Sequence, residues 1–216
     1  MSAAGQFCSV ARALDLLGGR WTLLVVRELL LGGRRFNEIR RGIPRVSRTV
    51  LAERLRALVA AGVVTHEGDG YGLTEAGREL LATVTALGTW GQRWLPRGAA
   101  LEDLDLGPLL LDMQRRVRFA ALPAEPLVVR FELARQPRRR LLLKAGEAAL
   151  CSEDAGFPER LVVRGPLAAL AGWWRGDQDF AAARRAGLTL EGPRALARAF
   201  PGWFERYLFH AVRPAA

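Results

Sequence analysis

Lysine is almost missing from this 216-residue chain: of its 32 basic residues only Lys144 is not arginine. Histidine is nearly absent, with His66 and His210 alone, and cysteine stops at Cys8 and Cys151. Two thiols so far apart build no disulfide framework. So few nitrogen and sulfur ligands leave no cluster at metal-ligand spacing. There is no Walker loop, Gly-x-Ser-x-Gly elbow or dinucleotide fingerprint. Paired acids such as Asp177 with Asp179, or Glu102 with Asp103, are simplest as solvated loop charges. Neither catalysis nor a cofactor or metal is therefore expected. No apolar run nears the ~20 residues that span a bilayer, and Met1 to Gln6 lacks the basic and apolar regions of a secretory signal. The expectation is a cytoplasmic protein in reducing surroundings, without a membrane partner.

What is present is apolar residue, at 50%, enough for a packed core, and a formal charge of +10. An arginine bias of this kind also arises from genome composition, so distribution matters more than the total. Residues 34–56 hold eight arginines (34, 35, 40, 41, 45, 48, 54 and 56) against Glu38 and Glu53, a surplus of six. A concentrated basic segment is what phosphate binding requires, because each neutralised phosphate releases condensed counterions. A solvated basic surface is the alternative.

Val10, Leu14 and Leu17 keep helical spacing until Gly18-Gly19 breaks it. Arg20-Trp21 then opens a second, largely apolar helix to Leu31. A short helix is predicted from Phe36 to Arg41 and a turn at Gly42-Ile43-Pro44. Ser47 is placed to cap a helix to about Ala61, with Leu51, Leu55 and Leu58 as its buried stripe and Gly62 as its stop. Two short strands, Val63 to His66 and Tyr71 to Leu73, flank Glu67-Gly68-Asp69-Gly70, where Asp-Gly suits a tight turn. Thr74 caps a long helix to about Trp94. Its line of Leu80, Val84, Leu87, Gly91 and Trp94 is a seam for another helix. This order is that of a winged helix-turn-helix domain, residues 1–95.

Residues 96–104, opening on Pro96-Arg97-Gly98, read as a linker. Beyond it Val129, Phe131 and Leu133 alternate with Arg130 and Glu132, a strand with one wet face. Further strands are expected at Arg140 to Lys144, Ala148 to Cys151 and Leu161 to Arg164. Helices are expected from Gly165-Pro166 through Trp174 and from Gly192-Pro193 through Tyr207. Strands first and helices last indicate an α+β domain over residues 105–213, and the whole chain reads as α+β.

The first half resembles the HxlR-type regulators, a branch of the MarR-like winged-helix proteins. The residues that carry the resemblance are Cys8-Ser9-Val10-Ala11 with Leu14, Leu17-Gly18-Gly19-Arg20-Trp21-Thr22, Arg27-Glu28-Leu29, Arg35-Phe36-Asn37-Glu38-Ile39, Ser47 with Val50-Leu51 and Arg54-Leu55, Gly62-Val63-Val64, and Leu73-Thr74-Glu75-Ala76-Gly77. It implies a homodimer on a palindromic operator in double-stranded DNA, with the helix from Ser47 in the major groove. The wing departs from that pattern: it is short and acidic, and repulsion from phosphate is expected there.

More weakly, Leu161 to Gly165 with Leu167 and Leu170, Trp174-Arg175-Gly176, Ala186 to Gly192, Phe200 and Trp203-Phe204 resemble the sterol-carrier-like domain of some such regulators. That resemblance implies an apolar tunnel and an apolar small-molecule effector.

Arg45, Ser47, Arg48, Thr49 and Arg56 are the expected DNA contacts, since arginine grips guanine bidentately and the first turn of a recognition helix reaches deepest. Arg34 and Arg35, with Arg40 and Arg41, fit phosphate clamps or a solvated surface. Phe131, Trp173, Trp174, Phe180 and Trp203 fit either a core or a ligand site. Leu80, Val84, Leu87 and Trp94 are the candidate dimer contacts. Cys8 stands where some relatives keep a redox-sensing thiol, and a small buried apolar residue is the other reading. The competing function is a lipid or acyl-group carrier that keeps its first domain for dimerisation.

Overall fold

Gly18-Gly19 separates the first two helices of the computed structural model, which describes residues 7–96, 104–151, 153–154 and 156–215. Two compact units are present, residues 1–88 and 89–216.

In the first unit, α1 (Ser9–Leu17) buries no residue. Val10 and Leu14 are exposed, while Leu16 and Leu17 pack on the core. Helix α2 (Thr22–Leu30) supplies Val25, Val26 and Leu29 to that core. Helices α3 (Phe36–Gly42) and α4 (Arg48–Ala60) follow. The Ser47 hydroxyl accepts from the Val50 N–H at 3.2 Å, the expected cap. Leu51, Leu55 and Leu58 are fully buried, as their spacing predicts. Strands β1 (Val64–Glu67) and β2 (Gly70–Leu73) form a hairpin in which Glu67 pairs with Gly70. The turn is therefore Gly68-Asp69, one residue earlier than the Asp-Gly reading. Gly68 takes the positive φ of +59°, which costs glycine nothing.

Helix α5 (Glu75–Trp94) is capped by Thr74, whose Oγ1 accepts from Gly77 N–H at 3.2 Å. Gly77 lies so close to the Val63 carbonyl that a Cβ would come within 2.2 Å of it.

The division into units falls within α5. In the second unit Gln92 is buried and donates from Nε2 to the Arg175 carbonyl at 3.2 Å. Of the predicted linker, residues 97–103 lie outside the described residues. Leu104 packs on the second core and its carbonyl accepts from Gln136 at 3.2 Å.

Five strands make the sheet of the second unit: β3 (Leu127–Leu133), β4 (Arg139–Lys144), β5 (Glu147–Cys151), β6 (Glu159–Gly165) and β7 (Thr189–Glu191). Their order is β5-β4-β3-β6-β7, with β3 and β6 parallel and the other pairs antiparallel. Leu127, Val129, Phe131 and Leu133 share one face and one core with α6 (Leu106–Arg115) and α7 (Leu167–Arg175). Period-two patterning thus puts the predicted residues inward. Sequence reading passed over α6, β7 and α8 (Phe180–Arg185), the last two too short for a periodic signal.

The predicted helix to Tyr207 is not continuous. Helix α9 (Arg194–Ala199) gives way to a 3₁₀ turn over Phe200–Trp203. Pro201 has no N–H to extend the helical ladder, and Phe204 pairs with Val117 in an isolated β-bridge.

Candidate nucleic-acid interface

A buried carboxylate ties the end of α3 to α2. Glu28 of α2 is 1% exposed and accepts from Arg27 Nη2 at 2.6 Å and Nε at 3.0 Å. The same Nη2 reaches the Gly42 carbonyl at the end of α3, at 3.2 Å. A Cβ on Gly42 would fall 2.0 Å from the carboxylate. Only glycine lets α3 sit on this pair. Sequence reading quoted Arg27-Glu28-Leu29 without giving it a role; an acid at a helix's buried face is the signal that was available.

At the other end of α3, Glu38 accepts from the backbone N–H groups of Arg34 and Arg35 at 3.0 and 3.1 Å. Those bonds hold its carboxyl below the usual carboxylate range.

The predicted arginines then separate by what they touch. Arg45, Arg48, Thr49 and Arg56 are all exposed, in the turn and along the outer side of α4. The Arg48 guanidinium lies 5.3 Å over the Phe36 ring, a cation–π contact from the first turn of α4 to α3. Ser47 is exposed and engaged in capping. Arg35 pairs with Asp69 of the hairpin turn at 3.1 Å. The Arg34 carbonyl accepts from Tyr71 N–H at 2.7 Å, and Arg35 forms a β-bridge to Gly70. The short acidic wing is therefore fastened to the start of α3 with its acid partly neutralised. Arg54 turns inward instead, donating from Nε to the Arg20 carbonyl at 3.3 Å.

Among the candidate dimer contacts, Leu80 and Val84 are half-buried against the chain's own first core. Leu87 and Trp94 are exposed, and so is Trp90, which sequence reading missed. Thr83, Leu87, Trp90 and Trp94 fall on one side of α5 at helical spacing. Cys8 is not the small buried residue of the alternative reading. It is half-exposed at the N-cap of α1, and the N–H groups of Ala11 and Val10 pull its thiol pKa down.

The ligand candidates are brought together. Phe131, Trp173, Trp174 and Trp203 are buried in the second core and Phe180 packs on it half-buried. Phe200 is the hub, with ring centroids 6.5 Å from Phe131, 6.0 Å from Trp173, 6.1 Å from Phe180, 5.7 Å from Trp203 and 5.4 Å from Phe204. Trp174 Nε1 donates to Asp112 Oδ2 at 2.8 Å.

The sequence matches the HxlR-like helix-turn-helix family over residues 16–99. It is 33% identical over 102 residues to the uncharacterized Bacillus subtilis HTH-type transcriptional regulator YdeP, covering 44% of this chain and 80% of that protein. The chain belongs to the HxlR-like family. A relative in Mycobacterium tuberculosis, an uncharacterized HTH-type transcriptional regulator, is 48% identical over 98 residues, covering 41% of this chain. The chain spans only about 60% of the length of that relative. Among solved structures, quinone-bound YodB from B. subtilis is similar at 37% identity, over 39% of this chain and 97% of that one, with a TM-score of 0.37. Among the described residues no group of three or more His, Cys, Asp or Glu is placed to hold a metal ion. No described helix is long and apolar enough to cross a membrane.

Proposed function

We propose that this HxlR-like protein is a sequence-specific DNA-binding transcriptional regulator that acts as a homodimer on a palindromic operator. The observation that carries the reading is the state of α4: it is capped by Ser47, meets α3 through Arg48 over Phe36, and leaves Arg45, Arg48, Thr49 and Arg56 exposed on and just before it. Residues 1–95 serve DNA binding and dimerisation, with Arg34 and Arg35 as phosphate contacts. The exposed α5 stripe of Leu87, Trp90 and Trp94 is the surface a second copy covers, because tryptophans on one open helix face are costly in water. Two-fold symmetry then matches the operator. Selection of bound sequences from random duplex DNA tests this: an enriched inverted repeat is expected, and no enrichment overturns it.

Residues 105–213 form a sterol-carrier-like domain that senses an apolar small molecule. The aromatic cluster on the sheet supports this, because rings supply large apolar surface for such a ligand. Any regulating ligand must bind the DNA-competent and incompetent states unequally.

A second, compatible reading has one supporting observation, the half-exposed Cys8 thiol with its lowered pKa. Oxidation of Cys8 would then change operator affinity. Peroxide treatment that alters the wild type but not Cys8→Ser supports it; equal responses exclude it.

A further inference from the structure

The two large indoles buried deepest in the second core are treated unequally. Trp174 has its N–H on Asp112 at 2.8 Å. Trp203 is 1% exposed, and its Nε1 is buried with no hydrogen-bond partner among the described residues. An indole nitrogen can only donate, and a buried donor without an acceptor costs about as much as a lost hydrogen bond. The residue is held firmly: its carbonyl accepts from Arg118 N–H at 2.7 Å, and its ring meets Phe200 edge-on at 5.7 Å. Immediately before it, Gly202 is exposed with nothing within 4 Å of where a Cβ would stand. Phe180, in contact with Trp173 and Phe200, is the half-buried member through which the cluster meets solvent.

We infer that Trp203 Nε1 is the polar anchor of the effector site, and that its ligand is a flat aromatic compound carrying one neutral acceptor, a carbonyl. This rests on the apolar-effector reading above and narrows it. The surrounding rings favour a flat π-surface, since offset and edge-on contacts add to the area they bury. One neutral N–H satisfies one acceptor. Asp112, which accepts from Trp174, is offset by Arg116 at 3.1 Å; the buried side chains packed with Trp203 are apolar, so a ligand carboxylate at Nε1 would lose its hydration, which costs far more than burying a ketone. The class disfavoured is therefore the free fatty acid.

The test uses the full-length protein and three probes of one size: naphthalene, 2-acetylnaphthalene and 2-naphthoate, titrated by calorimetry against wild type and Trp203→Phe. The ketone should bind ~2- to 10-fold tighter than naphthalene, the margin of one hydrogen bond. The carboxylate should bind weakest. Trp203→Phe should erase the ketone's advantage and leave naphthalene affinity within about twofold. If that variant fails to fold, the Trp203 indole N–H resonance of ¹⁵N-labelled wild type decides. It should move downfield with the ketone and not with naphthalene. Equal binding of ketone and naphthalene, an advantage that survives Trp203→Phe, a naphthoate that binds tightest, or an unmoved resonance overturns the anchor while leaving an apolar effector in place. Failure of all three probes to bind overturns both.

Discussion

The two units spend the same residue type in opposite ways. Around α4, arginines stand outward: Arg45, Arg48 and Arg56 are exposed, and only Arg54 is turned in to brace the fold. On the sheet of the second unit, arginines are bound into a lattice. Glu132 accepts from Arg164 at 2.6 Å and pairs with Arg130 at 3.1 Å and Arg138 at 3.2 Å. Arg130 and Arg140 share Glu159, and Arg164 also holds Glu191. Four arginines and three glutamates thus pave the sheet face opposite the core, and little charge is left over. A count of positive residues therefore does not separate exposed arginines from those held in ion pairs.

The comparison is most exposed to change at α5. Leu87→Asp places a charge on the stripe assigned to the second copy, which is costly unless paired. Sedimentation at micromolar concentration should show monomer and operator binding should vanish. A dimeric variant moves the interface elsewhere.

Next, Arg48→Ala should weaken operator binding by about 1–3 kcal/mol and relax preference at one base position. Arg164→Ala should leave operator affinity and its salt dependence unchanged. If both variants lose affinity equally, the two uses of arginine are not distinct. Gly42→Ala, which presses on the Glu28 carboxylate, should destabilise the protein to urea by about 1–3 kcal/mol. No loss would mean that α3 can shift freely.

Acid acts on the lattice of the second unit more gently. Arg164 first, then Arg130 and Arg138, hold the Glu132 carboxyl below its ordinary 4.5. A carboxylate lowered in the folded state contributes stability that is present above the unfolded value and lost as pH falls through the folded one. Glu132→Gln should therefore lower stability near neutrality and flatten its decline below about pH 4.5, as read by urea titrations at several pH values. An unchanged acid limb would mean that the lattice contributes nothing. The smallest effect is expected at the wing: Asp69 and Arg35 are both well exposed, and such pairs are worth about 0–1 kcal/mol. Asp69→Asn should raise DNA affinity a few-fold at most and steepen its salt dependence. A loss of affinity would show that the pair positions the wing.

Much of the first unit was legible because its signals are local. Ser47 announced the start of α4, Leu51, Leu55 and Leu58 its buried face, and Gly62 its end. The second unit was legible where alternation ran long, as in β3, and illegible in β7, where three residues carry no period. The long helix read after Gly192-Pro193 failed because apolar spacing alone does not register Pro201 as a stop. Of the candidate dimer contacts, Leu80 and Val84 pack in part on the chain's own first core, since a helix with two apolar sides does not say which side that core takes.

What the sequence determined by itself are the features that act over one helical turn or one hairpin: caps, stops, turn glycines, and which alternate residues go inward. Pairings across distance needed the tertiary structure. Glu28 against Gly42, Arg54 against Arg20, Asp69 against Arg35 and Trp174 against Asp112 each join residues that no period links. The same is true of the donor left over at Trp203. The physical reason is that periodicity reports only which side of an element meets apolar surroundings. Hydrogen bonds and ion pairs depend on which atoms come within about 3 Å, and packing between elements sets that distance.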